Sequence, residues 1–231
     1  MKPAISMRNV GKTYKKAGRL AVPVLHGLNL EVQEGQFLAL MGPSGSGKTT
    51  ILNLMGGIDR PDSGEIIVRG RHLEALTSGE LGAWRSNNVG FVFQSYHLLP
   101  ILSAAANVEL PLLLTNLSIA QRRAHVTAAL EIVGLSARAS HKPGQLSGGQ
   151  QQRVGIARAI VTDPKLLLCD EPTGDLDRGT ADEILLLLRA LNQKHDKTIV
   201  MVTHDQKAAD YATRQLHLDK GELVEHTTEI R

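Results

Sequence analysis

Cysteine and aromatic residues are both scarce in this 231-residue chain. Cys169 is the single cysteine, so no intrachain disulfide can form, as is typical of a protein in a reducing compartment. Aromatic residues make up only 3% of the sequence, so the core must be built from aliphatic side chains. Such a core suits buried parallel strands and helices. Within it, we interpret Cys169 as a small buried side chain rather than a nucleophile.

Long apolar runs are missing as well. The best candidates, residues 51–58 and 184–191, fall short of the roughly 20 apolar residues that a membrane-spanning helix needs. The first residues contain no apolar core of signal-peptide length. A net charge of +3 is a small excess for this length and gives little support to a nucleic-acid partner. If the protein acts at a membrane, we expect another chain to cross it.

Short apolar runs predict an α/β fold. Phe37–Met41, Leu166–Cys169 and Ile199–Val202 each end in a polar or glycine cluster, and helical patterns lie between them. This arrangement is typical of a doubly wound, mainly parallel sheet. The alternating run Val24–Val32 and the short strand Glu65–Val68 predict an antiparallel flank near the N-terminus.

One domain with an insertion is expected. The predicted core covers residues 1–94 and 151–231, and the predicted helical subdomain covers about 95–150. Strand signals stop in this insertion, where Gln121–Val133 has the pattern of an amphipathic helix. Residues 216–224 predict a terminal hairpin.

A phosphate loop is predicted between a strand and a helix. The run GPSGSGKTT has the pattern G-x-x-x-x-G-K-[ST], in which backbone N–H groups and a helix N-terminus surround phosphate. Lys48 is placed to reach the β- and γ-phosphates, and Thr49 to bind Mg²⁺. The alternative is a glycine-rich turn without a ligand. The predicted nucleotide-binding residues here are Gly42, Pro43, Ser44, Gly45, Ser46, Gly47, Lys48, Thr49 and Thr50.

Two carboxylates, Asp170 and Glu171, follow the strand Leu166–Cys169. Successive side chains on a strand point to opposite faces, so we expect the two acids to have different roles. Asp170 is expected to hold the Mg²⁺ shell through water, and Glu171 to polarise the attacking water. An acid pair in this position is otherwise a helix cap or a solvated turn. The phosphate loop in the same chain favours the catalytic interpretation.

A second anion-binding helix start is predicted at LSGGQ. Ser147 and Gln150 fit a capping box, and Gly148 and Gly149 leave the N–H groups of the first turn bare. The alternative is a well-capped helix with no ligand. One chain thus offers two phosphate-binding helix starts but one set of Mg²⁺ and base residues. A twofold dimer that shares its nucleotides is an economical arrangement, although the sequence alone does not require it.

The combination of these motifs resembles the ABC ATPase family over nearly the whole chain. LSGGQ lies between a GPSGSGKT loop and the acid motif LLLCDEPTGDLD. The resemblance implies a P-loop NTPase (RecA-like) core that uses ATP and Mg²⁺. It also implies a dimer with a second copy, in which each nucleotide lies between the Lys48 loop of one copy and the Ser147 helix of the other.

The resemblance assigns roles to further positions. Gln94 resembles the glutamine that senses Mg²⁺, and Asp175 to Asp177 resemble the loop that crosses the dimer interface. His204 resembles the switch histidine that contacts the γ-phosphate. Tyr14 resembles the aromatic residue that stacks on adenine, although an early aromatic residue also serves packing. The predicted catalytic residues are Glu171, His204 and Lys48, and the predicted metal-binding residues are Thr49, Gln94 and Asp170.

Residues 56–64, 94–114 and 141–154 resemble the lipoprotein-releasing, macrolide-export and cell-division ATPases, most closely the first two. This implies a peripheral protein on the cytoplasmic face of the bacterial inner membrane that powers a separate permease with an extracytoplasmic domain. Because the sequence ends at Arg231 without a membrane segment, the stand-alone type is expected. The alternatives are a regulatory cell-division ATPase or a soluble ABC protein without transport function, and no nucleic acid is expected as a partner.

Residues 94–102 contain SYHLLPIL, which is more apolar than an exposed loop usually is. We expect a groove here to hold a short cytoplasmic helix of the membrane subunit. The alternative is that these side chains pack inside the helical insertion.

Overall fold

The computed structural model describes residues 3–15 and 21–224. Contacts group the chain into two compact units. The first unit combines the residues up to 85 with those from 198 onward, and the second unit is formed by residues 86–197. The predicted division into a core and an inserted subdomain stays a prediction.

Ten strands and seven α-helices lie within the described residues. The strands are β1 (Pro3–Tyr14), β2 (Val22–Gln33), β3 (Phe37–Met41), β4 (Ser63–Val68), β5 (Arg71–His72), β6 (Val89–Phe93), β7 (Leu166–Asp170), β8 (Thr198–Thr203), β9 (Arg214–Asp219) and β10 (Glu222–Val224). The α-helices are α1 (Lys48–Met55), α2 (Ser78–Asn88), α3 (Ala104–Glu109), α4 (Ile119–Ile132), α5 (Gly148–Ile160), α6 (Arg178–His195) and α7 (Gln206–Ala209). Short 3₁₀ helices cover Leu110–Leu114, Ser136–Arg138 and Pro143–Gln145.

The first unit holds the antiparallel flank and the strand that leads into the phosphate loop. β1, β2, β4 and β5 form an antiparallel sheet in the order β2-β1-β4-β5. β3 pairs in parallel with both β8 and β9, and β10 pairs antiparallel with β9 as a terminal hairpin. Every residue of β3 and β8 is buried, which explains why apolar residues fill β3 and all of β8 between its two terminal threonines.

The second unit is built around α5. This helix contacts strand β6 and helices α3, α4 and α6, and its buried side chains include Val154, Ile156 and Ile160. β6 and β7 pair in parallel, with Val89 opposite Leu166. Cys169 is fully buried in β7, where burial raises the pKa of its thiol.

These elements confirm the predicted fold class. β3 has the predicted bounds, β8 extends one residue beyond the prediction at each end, and the terminal hairpin is present. The helix predicted over Gln121–Val133 is α4, but only Val126, Ala129 and Leu130 are buried on it. Strand β1 and helices α2 and α3 were not predicted. Among the described residues, no helix combines the length and hydropathy needed to span a bilayer.

Candidate functional site

The predicted phosphate loop follows β3 and leads directly into α1, all within the first unit. Gly42 lies so close to β9 that an added Cβ would be 2.2 Å from the carbonyl oxygen of Leu218. Gly47, the N-cap of α1, has a φ of 106°, a backbone conformation that side chains strongly disfavour. These two glycines explain how the chain turns from a buried strand into a helix within so few residues.

The loop surrounds the buried ammonium group of Lys48. Lys48 is only 7% exposed, and its Nζ donates hydrogen bonds to the carbonyl oxygens of Gly42 (2.7 Å) and Pro43 (2.9 Å). The hydroxyl of Ser46 is buried and has no hydrogen-bond partner within residues 3–15 and 21–224. A buried ammonium group and an unsatisfied hydroxyl in one loop are suited to the oxygen atoms of phosphate.

Tyr14 ends β1 and is held by a charged neighbour. Its hydroxyl donates to Oδ2 of Asp59 (2.7 Å), while Lys12 donates to Oδ1 of the same carboxylate (2.7 Å). Burial acts to raise the pKa of Asp59, but the hydrogen bonds from Lys12 and Tyr14 outweigh it and leave that pKa lowered. The Lys12 ammonium lies 5.0 Å from the centroid of the Tyr14 ring. The ring is therefore fixed in place yet 39% exposed, as a stacking surface for a base requires.

His204 also lies in the first unit, directly after β8. It is exposed, and the following residue, Asp205, is the N-cap of the short helix α7. The backbone N–H of Asp205 donates to the hydroxyl of Thr203 (3.0 Å), which fixes the chain on either side of His204. The other predicted site residues belong to the second unit.

The acid pair lies where β7 ends. Asp170 is the last residue of the strand, whereas Glu171 has a φ of 44° and has left the extended conformation. Strand alternation therefore does not set the direction of the Glu171 side chain, and the different roles of the two acids stay a prediction. A left-handed backbone at a residue other than glycine is strained, costing about 1–3 kcal/mol, and such strain clusters at functional sites.

Gln94 follows β6 and reaches the loop that was predicted to cross a dimer interface. Its Nε2 donates to Oδ1 of Asp175 (2.8 Å). Asp177 in the same loop is the N-cap of α6, where it accepts bonds from the backbone N–H (3.1 Å) and the hydroxyl (2.6 Å) of Thr180. The hydroxyl of Thr180 is the main cause of the lowered pKa of Asp177. The structure thus brings Gln94 and Asp175 together, while the carboxylate of Asp177 caps the N-terminus of α6.

The capping box predicted at LSGGQ is present. The hydroxyl of Ser147 accepts from the backbone N–H of Gln150 (3.3 Å), and the side chain of Gln150 accepts from the backbone N–H of Ser147 (3.0 Å). Ser147 itself is exposed. The two glycines also serve packing, which was not predicted: a Cβ on Gly148 would lie 3.0 Å from the hydroxyl of Tyr96, and one on Gly149 would lie 2.2 Å from Cγ2 of Thr180.

Known proteins resemble this chain over nearly its whole length. The model of a family described as ABC transporter matches residues 25–174. The chain is 46% identical to the lipoprotein-releasing system ATP-binding protein LolD of Pseudomonas syringae pv. tomato over 224 residues, which is 97% of this chain and 98% of that protein. This chain belongs to the ABC transporter family. Within the family it is an ATP-binding subunit.

A second relative is longer than this ABC transporter subunit. The macrolide export ATP-binding/permease protein MacB of Marinobacter nauticus is 45% identical over 226 residues, which is 98% of this chain but 35% of that protein. The chain therefore spans about a third of the length of that relative.

A solved structure extends the likeness to three dimensions. It is described as a dimeric, post-hydrolysis state of the ATP-binding cassette MJ0796 bound to ADP and Pi. This structure has a TM-score of 0.87 and 43% sequence identity, and it covers 96% of this chain and 97% of its own. The ABC cassette fold predicted from the sequence is thereby established.

The residues present also fit the magnesium ion that accompanies ATP. No group of three or more His, Cys, Asp or Glu residues in the described part of the chain is arranged to hold a metal. Mg²⁺ at nucleotide sites seldom uses such a cage, because it takes one or two protein oxygens together with phosphates and water. The first unit offers the hydroxyl of Thr49 as an oxygen donor of this kind, and the second unit, considered by itself, offers the carboxylate of Asp170.

Sequence reasoning missed two residues that support the site of this ABC subunit. Asp59 fixes Tyr14, and nothing in the local sequence indicates that contact. Gln152 is completely buried on α5. It lies at helical spacing from the buried residues Gly149 and Ile156, so a polar residue on a buried face was the available signal.

Proposed function

We propose that this subunit binds and hydrolyses ATP as a pair of identical chains and thereby drives a membrane permease. The observation that carries the proposal is the presence of two different helix starts suited to phosphate. One helix start follows the loop that contains the buried Lys48. The other is capped by the exposed Ser147, which forms two reciprocal hydrogen bonds with Gln150. A dimeric relative bound to ADP and Pi supports the same arrangement.

In this proposal, the loop amides and Lys48 bind the β- and γ-phosphates, while Tyr14 stacks on the adenine. Glu171 orients and polarises the attacking water, and His204 contacts the γ-phosphate. When bound, Mg²⁺ neutralises charge that develops on the transferred phosphoryl group. The residues proposed to hold Mg²⁺ are Thr49, Gln94 and Asp170.

The second copy completes each site in this proposal. Residues 147–150 of one chain approach the nucleotide that the other chain binds. They form a helix start suited to phosphate, but they lack a lysine like Lys48 that would let them bind a nucleotide alone. Asp175 and Asp177 lie in the loop proposed to cross between the two chains. The hydrogen bond from Gln94 to Asp175 supports a link between that loop and the metal-sensing glutamine.

A surface of the second unit is the proposed contact for the permease. Leu99 is 46% exposed and Ile101 is 77% exposed, so internal packing of the insertion does not account for them. The buried Asn107 holds their loop in place, since it accepts from the backbone N–H of Leu99 (2.7 Å) and donates to its carbonyl oxygen (3.1 Å). A rigid loop that presents apolar side chains suits a short amphipathic helix of a partner.

The relatives named for lipoprotein release and macrolide export support a membrane permease as the partner, and we propose that this permease has an extracytoplasmic domain. In this proposal, closure of the ATP-bound pair moves the permease, and the subunit is peripheral on the cytoplasmic face of the inner membrane. The 46% identity to LolD over 224 residues supports a role of the lipoprotein-release or export type.

Co-purification tests the partner. The tagged chain, expressed with its neighbouring genes and extracted in mild detergent, should retain a multi-span permease, whereas recovery of ribosomal RNA instead would overturn the proposal. Ile101→Asp should release the permease while leaving the ATPase rate of the isolated subunit unchanged. Leu186→Asp is the matched control, because Leu186 is a 55% exposed leucine on α6 of the same unit. Equal retention by both variants would contradict the proposed contact.

A further inference from the structure

Gln152 joins two functional segments of the second unit. It lies in the second turn of α5 with no exposed surface. Its Nε2 donates to the carbonyl oxygen of Phe93 (3.2 Å) and also to that of Pro172. Phe93 directly precedes Gln94, and Pro172 directly follows Glu171. One amide group therefore connects the backbone beside the metal-sensing glutamine with the backbone beside the proposed base.

The orientation of this amide follows from its surroundings. Oε1 of Gln152 is buried and has no hydrogen-bond partner among the described residues. If the amide were flipped, that oxygen would face two carbonyl oxygens, and three acceptors would meet without a donor. The NH₂ group is thus the end of Gln152 that bonds to both segments, and its loss removes a hydrogen bond from the carbonyl oxygens of Phe93 and Pro172.

A second side chain of α5 holds the segment on the far side of Gln94. Arg158 donates to the carbonyl oxygens of Tyr96 (2.7 Å) and His97 (2.6 Å). Both of these residues have a positive φ, at 57° and 47°, so this turn needs external support. Gln94 is therefore anchored by the same helix before and after its position.

We propose that Gln152 is a positioning residue for ATP hydrolysis, which sets the spacing between Gln94 and Glu171. The inference rests on the proposed function. The hydrogen bonds of Gln152 all lie within the second unit, whereas the phosphate loop belongs to the first. Loss of its amide should therefore lower kcat and leave the KM for ATP nearly unchanged.

Gln152→Met tests this role, because methionine fills a similar volume without a donor. We expect kcat to fall on the order of 10²-fold, as for other small displacements of catalytic groups, with KM within about twofold of wild type. Asn192→Leu is the matched control. Asn192 is a buried amide of the same unit that donates to the carbonyl oxygen of Lys197 (2.7 Å), far along α6 from both loops. The control should lose a comparable amount of thermal stability and keep its kcat.

Gln152→Glu adds a pH signature. Burial beside two carbonyl oxygens raises the pKa of a carboxyl group, and its neutral form can donate to one of them. The ratio of the variant's kcat to that of wild type should therefore rise as the pH falls. A ratio that does not change with pH would count against the role of the donor.

The outcomes separate the inference from the proposed function. If the wild-type chain binds ATP but does not hydrolyse it in the same assay, the proposed function fails. If wild type is active and Gln152→Met retains its kcat, the positioning role is wrong. The role is also wrong if Asn192→Leu loses as much kcat as Gln152→Met, since both effects would then reflect stability alone.

Discussion

Replacement of Gly149 by alanine tests why LSGGQ contains its second glycine. The added Cβ would lie 2.2 Å from Cγ2 of Thr180, so the first turn of α5 or the start of α6 must move. Thr180 is not free to turn away, because its hydroxyl and backbone N–H both donate to Asp177. Overpacking of this kind costs about 1–3 kcal/mol. In a chain of this length the loss lowers the Tm by roughly 2–12 °C.

A second substitution should reverse the effect. Thr180→Ser removes only Cγ2 and keeps the hydroxyl that bonds to Asp177. The remaining neighbours of the new Cβ on residue 149 are then Cβ (3.6 Å) and Oγ1 (3.8 Å) of residue 180, which are ordinary van der Waals distances. The Gly149→Ala/Thr180→Ser double variant should therefore regain most of the lost Tm. In a double-mutant cycle, the coupling free energy should be about 1–3 kcal/mol.

Thermal unfolding monitored by circular dichroism, together with phosphate release, provides the assay. Gly144→Ala is the control, because no other atom lies within 4 Å of a Cβ at that position. A Gly149→Ala variant with the Tm of wild type would refute the packing explanation. A normal Tm with a lost ATPase rate would instead show that the glycine is needed for the approach of phosphate.

The proposed roles of the nucleotide-binding residues make three further predictions. Glu171→Gln should retain ATP binding but lower the rate of phosphate release by about 10²–10⁴-fold, and a normal rate would remove Glu171 from the role of base. Lys48→Ala should weaken binding of a fluorescent ATP analogue at equilibrium, because the buried ammonium group is lost; unchanged affinity would contradict the assignment. Tyr14→Ala should weaken the same binding by about 0.5–1.5 kcal/mol, whereas Tyr14→Phe, which keeps the ring and loses only the hydrogen bond to Asp59, should weaken it less. Equal losses in the two Tyr14 variants would exclude stacking.

Features with a local cause were predictable from the sequence. The continuous apolar runs Phe37–Met41 in β3 and Ile199–Val202 in β8 reflect strands buried on both faces. The capping box of Ser147 and Gln150 depends on residues three apart, so its pattern is visible in the sequence. The turn from β3 into α1 at the predicted phosphate loop was predictable for the same reason, since its pattern has glycines and a lysine at fixed spacing.

Features set by distant contacts were not predictable. Strand β1 depends on pairing with β2 and β4, as where Ile5 lies opposite both Val32 and Val68, and several register shifts interrupt its alternation. The left-handed backbone of Glu171 is a different case, because the turn that contains it is local: the N–H of Gly174 donates to the carbonyl oxygen of Glu171 (3.1 Å). The short strand-like run before Glu171 gave no signal of that turn.

Only one of the two roles of the glycines in LSGGQ was predictable from the sequence. Their absence of side chains predicted bare N–H groups, which is a property of the local sequence. Their close packing against Tyr96 and Thr180 depends on segments about 50 and 30 residues away along the chain. The same limitation applies to Gln152, whose two acceptors lie 59 and 20 residues away.

Mixing two inactive variants tests the shared site most directly. Lys48→Ala disables the phosphate loop of its own chain, and Ser147→Arg blocks the exposed helix start that is proposed to serve the other chain. A mixed pair would contain one site made of two intact halves. At equal amounts, half of the pairs are mixed and each carries one of two sites, so the ATPase rate should recover to at most about a quarter of wild type. A rate no higher than the sum of the separate variants, with mixed pairs demonstrated by affinity capture, would contradict a site completed by the second copy.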